Sequence, residues 1–170
     1  LFRFHTEMNP DDKKFQLIQL SKLSNVCSAL KRKLMVELII QKDLAQEDVS
    51  TAKEEELAEA INEVYKKNIY PYWWEINALE IQEKWLKIKE TMNKNDPDVG
   101  VIFKYNYSQI EKLPSWLRIA RSNRMNFGLG FGENIFWEQW EKFLKTNAKD
   151  AQVKSEISER FQKLLNLWSD

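Results

Sequence analysis

Cysteine and histidine are almost missing from this sequence: there is one of each, Cys27 and His5. A lone cysteine excludes an intrachain disulfide and suits a reducing compartment, which gives an intracellular, cytoplasmic expectation. Cys27 falls on an apolar helical stripe, where a buried, inert thiol is expected. One Cys and one His so far apart cannot supply a Cys/His zinc site, and helical di-iron centres need Glu-x-x-His pairs that do not occur. A Ser-His-Asp or Cys-His system would have to use His5, which the sequence places in a loose N-terminal arm. No catalytic, metal or cofactor site is therefore assigned, and the reading is of a non-enzymatic domain.

Glycine and proline are also scarce, at four each. No stretch has the composition of an interdomain linker, and there is no internal repeat. No apolar run approaches the roughly 18 to 20 residues of a membrane span, and Leu1-Phe-Arg-Phe4 is too short for a signal-peptide core. Net charge is missing as well, since 26 basic residues balance 26 acidic ones. That argues against a domain wholly given to polyanion binding. What is abundant is large apolar side chains: 43% of residues are hydrophobic and 12% aromatic, a composition that builds a core. One domain over residues 1–170 is expected, with residues 1–10 as an arm, and the initial Leu suggests a piece of a longer chain.

Hydrophobic periodicity reads as helix along most of the chain. Asn9-Pro10-Asp11-Asp12 is a helix start, with Pro in the first turn and acids at the positive end of the dipole. Leu17, Leu20, Leu23, Cys27, Leu30, Leu34 and Leu38 recur every three or four residues, which predicts a helix from about Asp12 to Leu44. Val26, Met35, Ile39 and Ile40 widen its stripe. Residues 46–50 read as a linker and Thr51-Ala-Lys-Glu54 as a capping box for a second helix to about Lys67. A third helix is expected from about Tyr72 to Asn93, with Trp74, Ala78, Ile81, Trp85, Ile88 and Met92 on one stripe. Glu80–Lys84 and Glu83–Lys87 are i,i+4 pairs on it. Residues 101–106 are the best strand candidate, and Phe2 and Phe4 offer a short edge strand. Two more helices follow, separated at about 147–149. The fold expected is all-α: a single domain of five to seven helices at mixed crossing angles, with one short extended segment near 101–106.

The stretch from Lys112 to Leu144 stands apart. It holds three of the six arginines, three of the four glycines and three of the seven tryptophans. From Lys112 to Gly132 there is no acid and four basic residues. Arg118, Arg121 and Arg124 recur every third residue along one side of a helix that begins near Trp116. Arginine forks match carboxylate and phosphate, so Lys112, Trp116, Arg118, Arg121 and Arg124 form an anion- or partner-binding candidate. Trp73, Phe127, Phe131 and Trp137 are candidate partner contacts. Gly128-x-Gly130-x-Gly132 before a helix is a weak phosphate-loop signal, because no strand is expected before it and Glu133 opposes an anion. The function read from these features is a helical interaction or regulatory module that binds another macromolecule, a protein first. Nucleic acid or another polyanion, with Trp116 stacking a base, is the alternative, and membrane contact through residues 127–132 is the third reading. The competing account is that the arginines pair with glutamates of this same domain.

Overall fold

The computed structural model describes residues 1–6, 8–40, 52–77, 79, 82–105, 107–130, 132–146 and 150–169. The fold is α/β, not all-α. Five strands alternate with helices: β1 (Phe2–His5), α1 (Pro10–Ala29), β2 (Met35–Ile39), α2 (Ala52–Tyr65), β3 (Trp73–Asn77), α3 (Gln82–Asn95) and β4 (Gly100–Lys104). A 3-10 helix (Tyr107–Lys112) and α4 (Leu113–Ser122) lead to β5 (Asn126–Leu129). A π-helix (Gly132–Trp137) then runs into α5 (Glu138–Thr146), and α6 (Asp150–Ser169) follows.

All four strand pairings are parallel, and the sheet order is β1-β2-β3-β4-β5. The repeated strand-helix-strand unit is Rossmann-like, but the order never reverses. Right-handed crossovers in one direction put every helix on the same face. The core agrees: Phe4, Val36, Leu38, Trp74, Ile76, Val101, Phe103 and Leu129 join Leu20, Ile61, Trp85, Ile88, Leu113 and Trp116 in one cluster. Those strand residues share one side by period-two alternation. Trp85 packs on Phe103 at 4.9 Å between ring centroids. The Trp74 indole donates a 3.1 Å hydrogen bond to the Tyr65 hydroxyl, whose burial pushes its pKa up to about 12.

Two of the expected helices were each a strand plus a shorter helix. Leu34-Met-Val-Glu-Leu-Ile-Ile40 continues the three/four spacing of α1 by accident. It is a short, β-branched apolar run, the form a buried parallel strand takes. Lys31, with φ of 52°, stops α1, and the Arg32 amide bonds back to the Cys27 carbonyl at 2.7 Å. Asn68 and Arg124, also left-handed, close α2 and α4 with matching bonds from Ile69 to Val64 and from Met125 to Ala120. Glycine is the usual residue there, and its absence at Lys31 concealed the end of α1; the end of α2 near Lys67 was expected. Trp73-Trp-Glu-Ile-Asn77 is likewise β3 rather than the start of a helix. Lys84 and Lys87 pair with Glu54 (3.0 Å) and Glu55 (2.6 Å) of α2, and Glu80 lies outside the described residues.

Other expectations held. Asn9 caps α1 by accepting the Asp12 amide at 3.0 Å, Phe2 and Phe4 lie in an edge strand, and β4 occupies the predicted extended segment. Gln16 pins the backbone of His5, at the end of β1, through bonds of 2.9 and 3.2 Å. The expected linker at 46–50, the Thr51 cap, Phe131 and the break at 147–149 lie outside the described residues.

Gly100 is where the sheet has no tolerance. A Cβ there would stand 2.2 Å from Trp73 Cζ3, whereas one on Gly128 would meet nothing nearer than Ile102 Cγ1 at 3.9 Å. Gly100→Ala is expected to lower stability by about 1–3 kcal/mol. Gly128→Ala should change it by less than about 1 kcal/mol in either direction. Urea midpoints of the two variants check the contrast.

Candidate functional site

The face of the sheet opposite the helices carries the charge. In register across it stand Arg3, Glu37, Glu75, Ile102 and Gly128, one from each strand. The row on the amino side is Met35, Trp73, Gly100 and Asn126; on the carboxyl side lie His5 beside Ile39 and Asn77 beside Lys104. Each polar residue is flanked along its strand by apolar ones that face the helices. The alternation therefore aims Arg3, His5, Glu37, Glu75, Asn77 and Lys104 at a single surface.

Glu37 is the centre of this surface. It is 1% exposed although no helix among the described residues covers it. Arg3 Nε donates to its Oε2 at 2.8 Å, and Lys104 donates to its Oε1. Lys104 is on β4 and Glu37 on β2, so the lysine stem crosses above β3 to reach it. Glu75 runs the opposite way: its Oε1 lies 3.4 Å from where a Cβ on Gly130 would stand, on the far side of β4. Two carboxylates directly opposite on adjacent strands repel, and the divergence carries Glu75 away from Glu37. On the β5 side a Cβ on Gly128 would meet only Ile102 Cγ1 at 3.9 Å, while the space over Gly130 is taken by Glu75.

The rim at the carboxyl ends is built just as tightly. The Thr6 amide donates to the Ile39 carbonyl at 3.0 Å, and its hydroxyl donates to Glu56 on α2. Lys84, buried at the start of α3, pairs with Glu54 at the start of α2. In parallel α/β sheets, ligands sit at the carboxyl ends of the strands. A cleft of about 280 Å³ opens at the other, amino edge between Arg32, Lys33, Tyr70, Tyr72, Asp96 and Asp98. There helix C-termini converge, and Lys33 is drawn 3.7 Å over the Tyr72 ring. The carboxyl half of the open face is the better candidate, because its central carboxylate is buried and two cations are oriented on it.

The residues singled out from sequence are scattered. Trp116 is 2% exposed and packs on Tyr105, so it cannot stack a base. Lys112, Arg118, Arg121 and Arg124 are exposed. Arg121 donates to the Trp168 carbonyl at 3.3 Å. Among the described residues Arg118, Arg121 and Arg124 pair with no carboxylate, and Arg124 serves as the left-handed stop of α4. Trp73 is half-buried on the open sheet face over Gly100. Phe127 lies in β5, not in a loop, stacked on Phe103 at 6.0 Å and against Trp168 at 5.4 Å. Trp137 is 59% exposed, its indole donating to Glu141 at 3.1 Å. Sequence reasoning missed Arg3, Glu37, Glu75 and Lys104, and set His5 aside in an arm. The signal was a single polar residue inside each short apolar run: Phe-Arg-Phe, Val-Glu-Leu, Trp-Glu-Ile and Phe-Lys-Tyr.

Lys104→Met removes one of the two cations on a buried carboxylate and is expected to cost about 1–3 kcal/mol. The double variant Glu37→Leu/Lys104→Met should recover most of that loss, since no buried charge is then left short of a partner. Urea denaturation of the two single variants and the double variant measures the coupling.

Among the described residues no helix is long and apolar enough to cross a membrane. No curated protein matches the sequence. One family does, described as "Uncharacterized protein conserved in bacteria (DUF2090)", and the match spans residues 1–170. Strands, caps and charged face all fall inside that one match, and the protein belongs to the DUF2090 family.

Proposed function

We propose that the helix-free face of the sheet, at its carboxyl end, binds a small polar metabolite and is an enzyme-type site. The observation that carries this reading is Glu37: a carboxylate 1% exposed, held between Arg3 and Lys104 on a face with no helix layer among the described residues. Buried ion pairs are weak stabilisers, because desolvation offsets most of the Coulomb gain, and well-packed apolar residues in their place are often neutral or better. A triad kept at such a position is explained by what it holds. Arg3 and Lys104 offer donors to oxygen atoms, Glu75 offers a carboxylate, and His5 and Asn77 border the rim. An intracellular, cytoplasmic setting belongs to this proposal, supported by the single thiol.

The test is a thermal-shift screen of a central-metabolite library against wild type and Arg3→Met/Glu37→Leu/Lys104→Met. The triple variant is expected to be about as stable as wild type. A ligand that raises the wild-type Tm should leave the variant unmoved. A shift that persists in the variant, or no shift from any member, contradicts the reading.

A second reading is favoured by a different observation. Arg118, Arg121 and Arg124 are exposed without carboxylate partners, and Phe136, Trp137, Trp140 and Leu144 are exposed nearby in sequence along the π-helix and α5. These support docking to another macromolecule, a protein first, with nucleic acid or another polyanion as the alternative. On heparin, a polyanion-binding wild type is expected to elute well above physiological salt and Arg118→Glu/Arg121→Glu/Arg124→Glu to flow through. Equal elution of the two removes the polyanion alternative.

A further inference from the structure

We infer that the cleft at the amino edge of the sheet binds a small linear zwitterion, with an amine at one end and a carboxylate at the other. This goes beyond the reading of the open sheet face and does not depend on it. The cleft holds about 280 Å³ and is walled by three loops. Arg32 and Lys33 come from the α1–β2 loop, Tyr70 and Tyr72 from the α2–β3 loop, and Asp96 and Asp98 from the α3–β4 loop. The sheet order β2-β3-β4 sets these loops side by side, with the tyrosines in the middle. Neighbouring strands lie about 4.8 Å apart, so the basic and acidic walls start about 10 Å from one another. Two positive and two negative side chains match a neutral ligand with separated charges better than an ion of one sign.

No ion pair within the protein uses these charges. Among the described residues, Arg32, Asp96 and Asp98 make no side-chain hydrogen bond or ion pair, and Lys33 has only the Tyr72 ring beneath it. Asp96 also stands where a helix disfavours an acid. It directly follows α3, and its amide bonds back to the Met92 carbonyl at 2.7 Å. The dipole is negative at that end, so it repels the carboxylate and attracts an ammonium bound beside it. The walls are fixed in place. The Arg32 amide donates to the Cys27 carbonyl at 2.7 Å, the Tyr72 amide to the Leu34 carbonyl at 2.8 Å, and the Asn126 side chain to the Asp98 carbonyl at 3.1 Å. A frame already ordered loses little entropy on binding. The ligand carboxylate lies between Arg32 and Lys33, where a guanidinium can hold it through two parallel hydrogen bonds. Its ammonium lies between Asp96 and Asp98, and its methylene chain runs along the exposed Tyr70 and Tyr72 rings. An α-amino acid such as glycine carries both charges on one carbon and cannot span the walls.

The experiment titrates 6-aminohexanoate by calorimetry, beside glycine, hexanoate and hexylamine. The expected result is binding of 6-aminohexanoate about tenfold or more tighter than any of the other three, because only it makes charged contacts at both walls. Cys27, the one thiol of the chain, lines the same cleft, so 6-aminohexanoate should slow its alkylation by iodoacetamide. Arg32→Gln and the double variant Asp96→Asn/Asp98→Asn, each confirmed folded by its Tm, should each weaken binding about tenfold or more. Both should lose the protection of Cys27 at the same ligand concentration. No binding of 6-aminohexanoate overturns the inference. Equal binding of hexanoate or hexylamine overturns it too, since one charge then suffices. Affinity unchanged in either variant, or alkylation of Cys27 at the same rate with and without ligand, puts the molecule elsewhere and also overturns it. The open sheet face stands or falls separately, on its own triple variant.

Discussion

A carboxylate with no helix among the described residues above it and almost no water around it organises the open face of this sheet. Glu37 is shielded by the two side chains that neutralise it, Arg3 from β1 and Lys104 from β4. The bridge ties the first strand to the fourth across everything between them. It also fixes what its neighbours do. Lys104 must cross β3, and Glu75, next to Glu37 in register, swings the other way over β4. From one buried charge follow the orientation of the lysine and the separation of the two carboxylates.

The helical side of the molecule is a separate and simpler matter. Apolar strand residues meet apolar helix stripes in one cluster, with Trp74, Trp85 and Trp116 as its largest members. Sequential strand order with one hand of crossover confines that core to a single side. The polar side is thereby left to function. The end helices carry exposed apolar residues as well, Phe15, Ile18, Val26 and Leu30 on α1 and Phe161 and Leu165 on α6.

Much of the core was legible in the sequence, and the fold class was not. Leu17, Leu20, Ile61, Trp85, Ile88 and Met92 were placed on buried helix faces and lie there. The failure came at β2 and β3. Four or five consecutive apolar residues have no period of their own, and both strands sit beside helices whose spacing they happen to extend. The left-handed residue that separates α1 from β2, Lys31, is not glycine, so the usual mark of a helix end was missing there. The site was illegible for the same reason. Glu37 and Glu75 look like solvated charges on a helix, and only as strand residues do they fall on one face with Arg3 and Lys104. The arginines of α4, conspicuous in sequence, are exposed but far simpler in their surroundings.

The most direct test of the account is a map of amide chemical-shift changes in uniformly 15N-labelled protein, recorded as mixtures of small oxygenated metabolites are added. The account predicts that changes concentrate at His5, Glu37, Glu75, Asn77, Lys104, Gly128 and Gly130, along the carboxyl half of the open face. Changes confined to Arg118–Arg124 and α5, or to the amino-edge cleft around Arg32 and Tyr72, would contradict it.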